Sequence, residues 1–560
     1  MTKATTLIGR LTEVSEIGMT ATLTTDITDG FPVLLVGGEA IRVGQVGSYL
    51  RIKDRDIQII AMVTSAREEE RSLKVALGED GEGRVTRSIS RGLITLTPVG
   101  EINEQGRFGR GMARFPIPGA EVHIMSGGQI GVMFEKYRAK GFNLGYLPSH
   151  PSMRVCLDPA VMFGRHLAIL GQSGSGKSWG VTSILQRTIS VMPKAHIIVL
   201  DLHGEYVWTT QDGERHAAFD EKIVQDLDAR ELEIPYWLLT FAELVDLLVD
   251  REDEGATIQI AYLREVVHEL RKNANPNIPA SQISIDSPMY FPLDALFDQF
   301  KLANEQTMDF GKTKGPLFGQ FDEFLIKLQS RMNDARYDFL FKPKRRTSSD
   351  TLSDLLREFV GLAEPKRQIT VIDFSSVPFD VRPTVSAQIG RLAFEMNYWN
   401  PRSKDFPILL VCEEAHAYIP RSGGTQYEGT RRSMERIAKE GRKYGVGLVV
   451  VSQRPHELSE TVLAQCGSFL CFRLSNPDDQ QYVKDLVPDA EGDLVNILST
   501  LARGEALALG ESAPVVTRFQ MQQPDPTPNS DDVDFYSKWQ INTDDLDVEA
   551  IVDKWRRQER

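Results

Sequence analysis

The sequence predicts an α/β protein with a small β domain at its N-terminus and a helical insertion within the α/β part. From Ile8 to about Val99, short β-rich runs alternate with Gly, Asp and Glu clusters, which is typical of a barrel or sandwich. After His166 the pattern changes to strand, helix, strand, which indicates a parallel sheet with helical crossovers. Between about Tyr206 and Pro365, apolar residues at helical spacing interrupt this alternation.

The apolar runs define the expected elements and boundaries. In the β domain we expect strands over residues 11–14, 20–23, 33–36, 49–52, 57–63, 73–77 and 93–96. In the α/β part we expect strands over 166–170, 196–200, 369–374, 408–412, 446–451 and 469–472, with helices over 178–190 and 388–398. We therefore divide the chain into a barrel (1–125), a first core segment (126–205), the helical insertion (206–365), a second core segment (366–520) and an acidic tail (521–560).

Composition excludes several classes of protein. The 560 residues are 41% hydrophobic and 25% charged, which is typical of a globular protein and not of a disordered one. No apolar run approaches the roughly 18 residues of a membrane span and the N-terminus lacks a secretory pattern, so we expect a cytoplasmic protein. The four cysteines have no Cys-x-x-Cys spacing, and we expect them to be core residues. The net charge of −14 argues against nucleic-acid binding over the whole surface, but it is compatible with a local basic channel.

The strongest motif is a G-x-x-x-x-G-K-S run between an apolar strand and a helix. Its residues are Gly171, Gln172, Ser173, Gly174, Ser175, Gly176, Lys177 and Ser178. The glycines allow backbone N–H groups to surround phosphates, and the helix directs its positive end at the same anion. In this pattern Lys177 reaches the β- and γ-phosphates and the Ser178 hydroxyl coordinates Mg²⁺. The sequence therefore predicts a nucleoside-triphosphate site, and we include the next residue, Trp179, among its binding residues.

Two carboxylates follow the apolar run 408–412. Open α/β sheets place their ligands at the carboxyl ends of strands, where Glu413 and Glu414 occur. Because adjacent strand residues point to opposite sides, the two carboxylates can divide the work. We assign Glu413 to the Mg²⁺ shell, through water, and Glu414 to polarising the attacking water.

Further polar residues follow neighbouring apolar runs. Gln453 can contact the γ-phosphate or the water, or can serve as a polar cap of its strand. Asp201 is a candidate for positioning water or metal. His203 and His416 are expected to form local hydrogen bonds and not to act as ligands.

A cationic helix follows the paired carboxylates. It carries Arg431, Arg432, Arg436, Lys439, Arg442 and Lys443, after a loop over 421–425. Such a run is usually a solvated face. A guanidinium inserted from a neighbouring subunit, however, can neutralise transition-state charge, which contributes about 10³ to 10⁵ in rate elsewhere. We name Arg442 as this residue, with Arg165, just ahead of the phosphate loop, as a second one acting in trans.

With these residues in place, the chain resembles the HerA family of hexameric, FtsK-related ATPases, of bacterial type. The resemblance covers most of the chain, and Glu413 stands where many such ATPases have Asp, which keeps the charge. Its motifs are, in order, Arg165-His166 before Gly171 to Ser178, Asp201-Leu202-His203-Gly204-Glu205-Tyr206, Glu413-Glu414-Ala415-His416, Glu440-Gly441-Arg442-Lys443-Tyr444-Gly445 and Ser452-Gln453-Arg454-Pro455.

The resemblance implies a RecA-like P-loop core and an N-terminal barrel like the HAS barrel. It further implies a homohexameric ring that uses ATP and Mg²⁺, with double-stranded DNA in the central pore. In such proteins the barrel docks a partner, either a NurA-like nuclease or a sirtuin-like or nuclease effector of antiphage defence. Cations for the pore include Arg421, Arg431 and the 342–346 loop, which is otherwise a solubilising turn.

Three functional hypotheses follow. The first is an ATP-driven DNA translocase that works with a partner nuclease or effector in DNA-end processing or antiphage defence. The second is a scaffold that uses ATP to assemble or license an effector enzyme without moving DNA. The third, a secretion or conjugation motor, is disfavoured because no membrane anchor is expected. The acidic tail is expected to be solvated, although Trp539 and Trp555 suit docking on a neighbouring subunit.

Overall fold

A computed structural model gives the fold as two compact units. It describes residues 6–15, 18–26, 31–36, 38–77, 83–210, 213–308, 313–377, 379, 381–422, 428–487, 492–540 and 546–557. The first unit comprises residues 1–193, 452–456 and 466–527, and the second comprises residues 194–451, 457–465 and 528–560. Each unit is built from segments that are distant in the sequence.

The first unit begins with an antiparallel barrel. Its strands are β1 (Leu7–Val14), β2 (Met19–Asp26), β3 (Val33–Val36), β4 (Glu39–Arg42), β5 (Tyr49–Asp54), β6 (Ile57–Leu77), β7 (Gly83–Ile102), β8 (Phe108–Gly109) and β9 (Glu121–Ile124). Six of them follow the order β2-β1-β9-β5-β6-β7, and pairing of β2 with β7 closes the sheet. Alternate apolar side chains, including Leu11, Ile52, Ile59, Ile94 and Val122, fill its interior. The predicted β domain is confirmed as a closed barrel.

One hairpin of the barrel is longer than the sequence predicts. The expected strands 57–63 and 73–77 are parts of a single strand, β6, which pairs with β7 from Gln58 to Leu77. The charged run Glu68–Arg71 interrupts the apolar alternation and so resembles a loop in the sequence. It does not interrupt the backbone pairing, in which residues 68–71 pair with residues 89–92 of β7.

An α/β segment continues the first unit. It contains α1 (Gly127–Arg138), β10 (Asn143–Leu147), β11 (His150–Cys156), α2 (Pro159–Gly164), β12 (Leu167–Leu170) and α3 (Lys177–Val191). Four further strands and helices also belong to the first unit. They come later in the sequence than the strands and helices of the second unit.

The second unit contains five parallel strands and the helical insertion. Its strands and helices are β13 (His196–Asp201), β14 (Val207–Thr209), β15 (Arg215–Ala217), β16 (Val224–Asp228), α4 (Phe241–Leu248), α5 (Ala256–Ala274), α6 (Leu293–Glu305), β17 (Thr307–Met308), β18 (Thr313–Lys314), α7 (Asp322–Asn333), α8 (Asp338–Phe341), α9 (Leu352–Phe359), β19 (Ile369–Asp373), α10 (Arg382–Tyr398), β20 (Ile408–Cys412), α11 (Glu428–Tyr444), β21 (Val446–Ser452) and α12 (Glu460–Ala464). Its parallel strands follow the order β21-β20-β13-β19-β16.

The returning elements complete the sheet of the first unit. They are β22 (Ser468–Cys471), α13 (Pro477–Leu486), β23 (Glu505–Gly510) and β24 (Thr517–Met521). The first-unit order is β11-β10-β24-β23-β22-β12, with β12 and β22 parallel and the other pairs antiparallel. Two short helices, α14 (Phe535–Lys538) and α15 (Val548–Arg557), lie in the acidic tail.

Strand β16 lies within the segment that we expected to be helical. Its sequence Val224-Gln225-Asp226-Leu227-Asp228 is short and mostly polar, as suits the edge of a sheet. The register aligns Asp228 with Asp373 of β19, and Asp373 with Asp201 of β13. Three aspartates therefore lie at the carboxyl ends of adjacent parallel strands.

The helical insertion has its own aromatic core. The rings of Phe300 and Phe324 stack with centroids 4.0 Å apart, and Tyr262 and Phe321 pack at 4.9 Å. All four cysteines of the chain are buried, as predicted. Across the part of the chain that the structure describes, no helix has both the length and the apolar character needed to cross a membrane.

Two side chains join the barrel to the rest of the first unit. The buried Tyr49 hydroxyl donates a hydrogen bond to the backbone oxygen of Val516, at 2.6 Å. The Arg110 guanidinium donates to the backbone oxygens of Gly510, Ala513 and Pro514. These bonds satisfy carbonyl groups around β23 and β24 that would otherwise be costly to bury.

Replacement of Tyr49 tests this attachment. Because Tyr49→Phe keeps the ring but removes the donor, we expect it to lower the free energy of unfolding by about 1–2 kcal/mol. Tyr536→Phe is the matched control, since the Tyr536 side chain is 77% exposed. Denaturant unfolding of the two variants should separate them, and equal stabilities would show that the Tyr49 hydroxyl does not anchor the barrel.

Candidate functional site

The glycine-rich loop has the backbone of a phosphate cradle. It connects β12 to α3, as predicted, and Gly174 and Gly176 have φ values of 70° and 103°. This left-handed region favours glycine. At Gly171, an added Cβ would lie 2.7 Å from Phe472 Cβ, so a larger residue would displace the loop.

Backbone hydrogen bonds fix the loop at three points. Gly171 N donates to Ser452 O at 3.2 Å, and Gln172 N donates to Arg473 O at 2.9 Å. At the other end, Gly504 N donates to Ser175 O at 3.0 Å. The Gln172 side chain accepts a fourth bond, from Ser475 N at 2.9 Å. The loop is therefore held by segments on both sides, which favours a preformed site.

The start of α3 suits an anion. Gly176 occupies the N-cap position and supplies no side-chain acceptor, so the first N–H groups of α3 can bind phosphate oxygens. Lys177 is buried, and its Nζ donates to Gln172 O at 3.1 Å, which holds the ammonium at the loop. Ser178 is half-buried at the second helical position. Glycine cradle, lysine and hydroxyl together fit a triphosphate with Mg²⁺.

Gln453 lies beside this loop. It directly follows Ser452, whose carbonyl accepts the Gly171 N–H. Arg454 N donates to Ser452 Oγ at 3.0 Å and so turns the chain after the strand. The half-buried Gln453 amide is thus attached to the segment that holds the first glycine of the cradle.

Arg165 precedes the same loop at the end of α2. Its guanidinium forms an ion pair with Glu511, and both side chains are about half exposed. The guanidinium is therefore at the surface of the first unit. A role in trans stays a prediction.

In the second unit, Glu413 is a buried acid directly after β20. Its backbone N donates to Leu200 O at 3.2 Å, which places it beside the end of β13. The Tyr206 hydroxyl donates to Glu413 Oε1, and the Tyr418 hydroxyl donates to the Glu413 backbone oxygen at 2.9 Å. Burial raises the pKa of Glu413 to about 8, opposed by the Tyr206 hydrogen bond and reinforced by nearby carboxylates.

Glu414 differs from Glu413 in backbone and surroundings. Its φ is 44°, so the chain leaves the extended conformation at this residue. The two side chains are therefore not separated by strand alternation, which we assumed from the sequence. Glu414 Oε2 lies 3.3 Å from His416 Nδ1, and both side chains are 14% exposed. The histidine is therefore a local neighbour of the Glu414 carboxylate, and both side chains are mostly buried.

Asp201 holds a loop through four backbone donors. Its Oδ1 accepts the N–H groups of His203, Gly204 and Glu205, and its Oδ2 accepts that of Tyr206 at 2.9 Å. Burial raises its pKa to about 6, although these donors favour the ionised form. The loop so formed delivers Tyr206 to Glu413. Asp201 thus positions a neighbour of the acidic site, while contact with water or metal stays a prediction.

The cations of α11 fall into two groups. Arg432, Arg436 and Lys439 form ion pairs with Glu428, Glu395 and Glu435. Arg431, Arg442 and Lys443 have no ion pair within the described residues. Arg442 is exposed near the carboxyl end of the helix. It is thus accessible to another molecule, although its role stays a prediction.

Two other basic segments are less available than the sequence suggests. In the 342–346 loop, Lys342 pairs with Asp338, while Arg345 and Arg346 pair with Glu358. Arg346 is buried, so it cannot contact DNA from a pore. Of the loop 421–425, residues 423–425 lie outside the described residues, and Arg421 pairs with Glu460.

The sequence does not predict three residues that contact candidate site residues. Tyr206 and Tyr418 contact Glu413, and Arg503 lies over the Trp179 ring with its guanidinium carbon 5.5 Å from the ring centroid. Tyr206 falls within a quoted motif, where its spacing from Asp201 is the only signal. Tyr418 and Arg503 come from turns that carry no motif.

The fold and site define a P-loop ATPase with an N-terminal barrel. Residues 142–392 match the family described as the central domain of the helicase HerA. The chain is 28% identical to the DNA double-strand break repair helicase HerA of Sulfolobus acidocaldarius over 446 residues, which are 79% of this chain and 80% of that protein. The chain is therefore similar to the HerA helicases, in their central domain and over most of the length of this relative.

A second relative covers more of the chain at lower identity. A probable helicase of Methanocaldococcus jannaschii is 24% identical over 533 residues, which are 91% of this chain and 94% of that protein. Among solved structures, VirB4 of Thermoanaerobacter pseudethanolicus is similar with a TM-score of 0.43 and 15% identity, over 71% of this chain and 98% of that chain.

The raised pKa of Glu413 predicts a stability effect that depends on pH. The folded protein binds the Glu413 proton more tightly than the unfolded chain, whose ordinary value is 4.5. Stability from this group is therefore complete below about pH 4.5 and is lost as the pH rises through about 8. Glu413→Gln, which keeps an acceptor for Tyr206, should unfold at least about 2–4 °C above the wild type at high pH without Mg²⁺.

The difference in unfolding temperature between Glu413→Gln and the wild type should shrink as the pH falls. Thermal unfolding between about pH 5 and pH 9 measures this difference. Glu323→Gln is the control, since Glu323 is an exposed residue of α7. A Glu413→Gln protein that is no more stable than the wild type at the high-pH end would contradict the buried, proton-retaining environment.

Proposed function

We propose that this protein is an ATP-driven motor that translocates double-stranded DNA as a homohexameric ring. The observation that carries the proposal is the tethered glycine cradle at the start of α3, in a chain that is similar to the HerA helicases. Relatives that carry the name DNA double-strand break repair helicase support DNA as the substrate of the motor. A nuclease or defence effector bound to the barrel is the partner that we propose for it.

The residues of the chain divide the hydrolysis of ATP between them. The loop N–H groups and Lys177 hold and orient the phosphates. Ser178 would hold Mg²⁺ directly and Glu413 would hold it through water, and the ion would supply neutralising charge to the phosphates. Glu414, whose Oε2 lies 3.3 Å from His416 Nδ1, accepts a hydrogen bond from the attacking water and polarises it. Gln453 contacts the γ-phosphate or that water from its position beside Gly171.

The exposed cations support contact with polyanions. The chain has a net charge of −14, so a uniformly attractive surface for DNA does not exist. Arg442 and Lys443 are exposed and Arg431 is half-buried, and none of the three forms an ion pair among the described residues. We assign Arg442, with Arg165, to the ATP site of the adjacent subunit, and Arg431 to the DNA side. Local phosphate contact of this kind is salt-sensitive.

Single substitutions at the phosphate cradle and at Glu414 should separate ATP binding from ATP hydrolysis. Lys177→Ala removes the ammonium at the cradle, so we expect ATP binding and turnover to fall to background. Glu414→Gln keeps the cradle but weakens water activation, so it should retain ATP binding and lose about 10²–10⁴-fold in turnover. Wild-type turnover should rise with double-stranded DNA. Steady-state phosphate release and equilibrium ATP binding measure these effects.

Lys194→Ala is the control for these measurements, because Lys194 is exposed and belongs neither to the phosphate cradle nor to the acidic residues after β20. Undiminished turnover of Lys177→Ala would refute the assignment of the site.

Mixing of subunits tests the trans role of Arg442. If Arg442 completes the site of a neighbour, doping Arg442→Ala subunits into wild-type rings should depress turnover more steeply than dilution alone. Doping with Lys443→Ala, a neighbouring exposed cation on α11, should give only the loss expected from dilution. A strictly proportional loss with Arg442→Ala would exclude action across the interface.

A further inference from the structure

Trp179 and Arg503 form a cation–π pair beside the phosphate cradle. Trp179 is the third residue of α3 and is half-buried. The guanidinium carbon of Arg503 lies 5.5 Å from the centroid of the indole ring. Arg503 itself is exposed, so this guanidinium is accessible from solvent. A flat cation supported by an aromatic ring is a surface on which another flat group can stack.

The backbone fixes this pair relative to the cradle. The turn that carries Arg503 continues into Gly504, whose N–H donates to Ser175 O at 3.0 Å. Gly504 has a φ of 78°, and a Cβ on Gly176 would lie 3.1 Å from Gly504 N. A side chain at position 176 would therefore press on the Gly504 backbone. The Arg503 backbone cannot move away from the loop without strain on the Gly504–Ser175 hydrogen bond.

The length of a nucleotide relates the phosphate cradle to the Trp179–Arg503 pair. Phosphate oxygens bind the N–H groups in the first turn of α3, to which Trp179 belongs. Only the ribose separates the α-phosphate from the base. A nucleotide with its phosphates in the cradle therefore carries its base within reach of the residues that flank Trp179.

From this geometry we infer that Arg503, backed by Trp179, stacks on the base and makes the site selective for purine over pyrimidine nucleotides. The inference rests on the proposed ATP site and adds the means of base recognition. Stacking depends on the area of the flat group and not on its hydrogen-bonding edge. ATP and GTP should therefore bind with similar affinity, and CTP and UTP more weakly.

Comparison of nucleotides with tripolyphosphate tests the inference, because tripolyphosphate has no base. Calorimetric titration of the full chain with Mg²⁺ should show that Arg503→Ala weakens ATP and GTP about tenfold and leaves tripolyphosphate unchanged. Trp179→Ala should resemble Arg503→Ala, whereas Trp179→Phe should retain most of the affinity for ATP. Arg154→Ala, at an exposed arginine of β11, is the control and should bind all ligands as the wild type does.

The outcomes distinguish this inference from the proposed function. Equal loss of ATP and tripolyphosphate in Arg503→Ala, or equal binding of ATP and CTP by the wild type, would overturn base stacking while the phosphate site survives. A wild type that binds neither ATP nor tripolyphosphate would overturn the ATP site, and base recognition with it.

Discussion

The backbone hydrogen bonds of the glycine-rich loop are the constraint on which the site depends. Three segments distant in the sequence donate to or accept from this loop, through Ser452, Arg473 and Gly504. The loop has no side-chain cap at the start of α3, so its N–H groups remain directed at a ligand. A phosphate that enters replaces water at donors whose positions are already set, and the cost of ordering is small.

A second constraint operates on the acidic residues. Asp201 and Glu413 are both buried, and each is close to further carboxylates. Backbone N–H groups donate hydrogen bonds to the Asp201 carboxylate. The Tyr206 hydroxyl donates to the Glu413 carboxylate, and the Tyr418 hydroxyl donates to the Glu413 backbone oxygen. Burial of an acid in such surroundings costs stability unless it is protonated or a cation is near. The region thus has a built-in preference for positive charge, which suits residues that are proposed to hold Mg²⁺ through water.

The sequence was sufficient for features that depend on local spacing. The Gly171 to Ser178 pattern between an apolar strand and a helix placed the cradle, and the apolar runs placed the central parallel strands. These signals are local because backbone conformation and strand burial are encoded by neighbouring residues.

Other features depend on contacts between distant residues, which spacing does not encode. The charged run Glu68–Arg71 hid the continuity of β6, and the polar composition of 224–228 hid an edge strand. Pairing with Glu358 removes Arg346 from the surface, although its neighbours in sequence suggest an exposed basic turn. Tyr418 and Arg503 reach the site from turns without any motif. Tertiary context, and not residue type, decides their roles.

Displacement of a third DNA strand from a duplex tests most directly whether ATP turnover moves DNA. We expect the wild type, with ATP, to displace a triplex-forming strand along double-stranded DNA, and Glu414→Gln to fail to displace it although it still binds ATP. A wild type that hydrolyses ATP without displacing the strand, together with a partner enzyme that is activated equally by Glu414→Gln, would contradict the motor and favour an ATP-regulated scaffold.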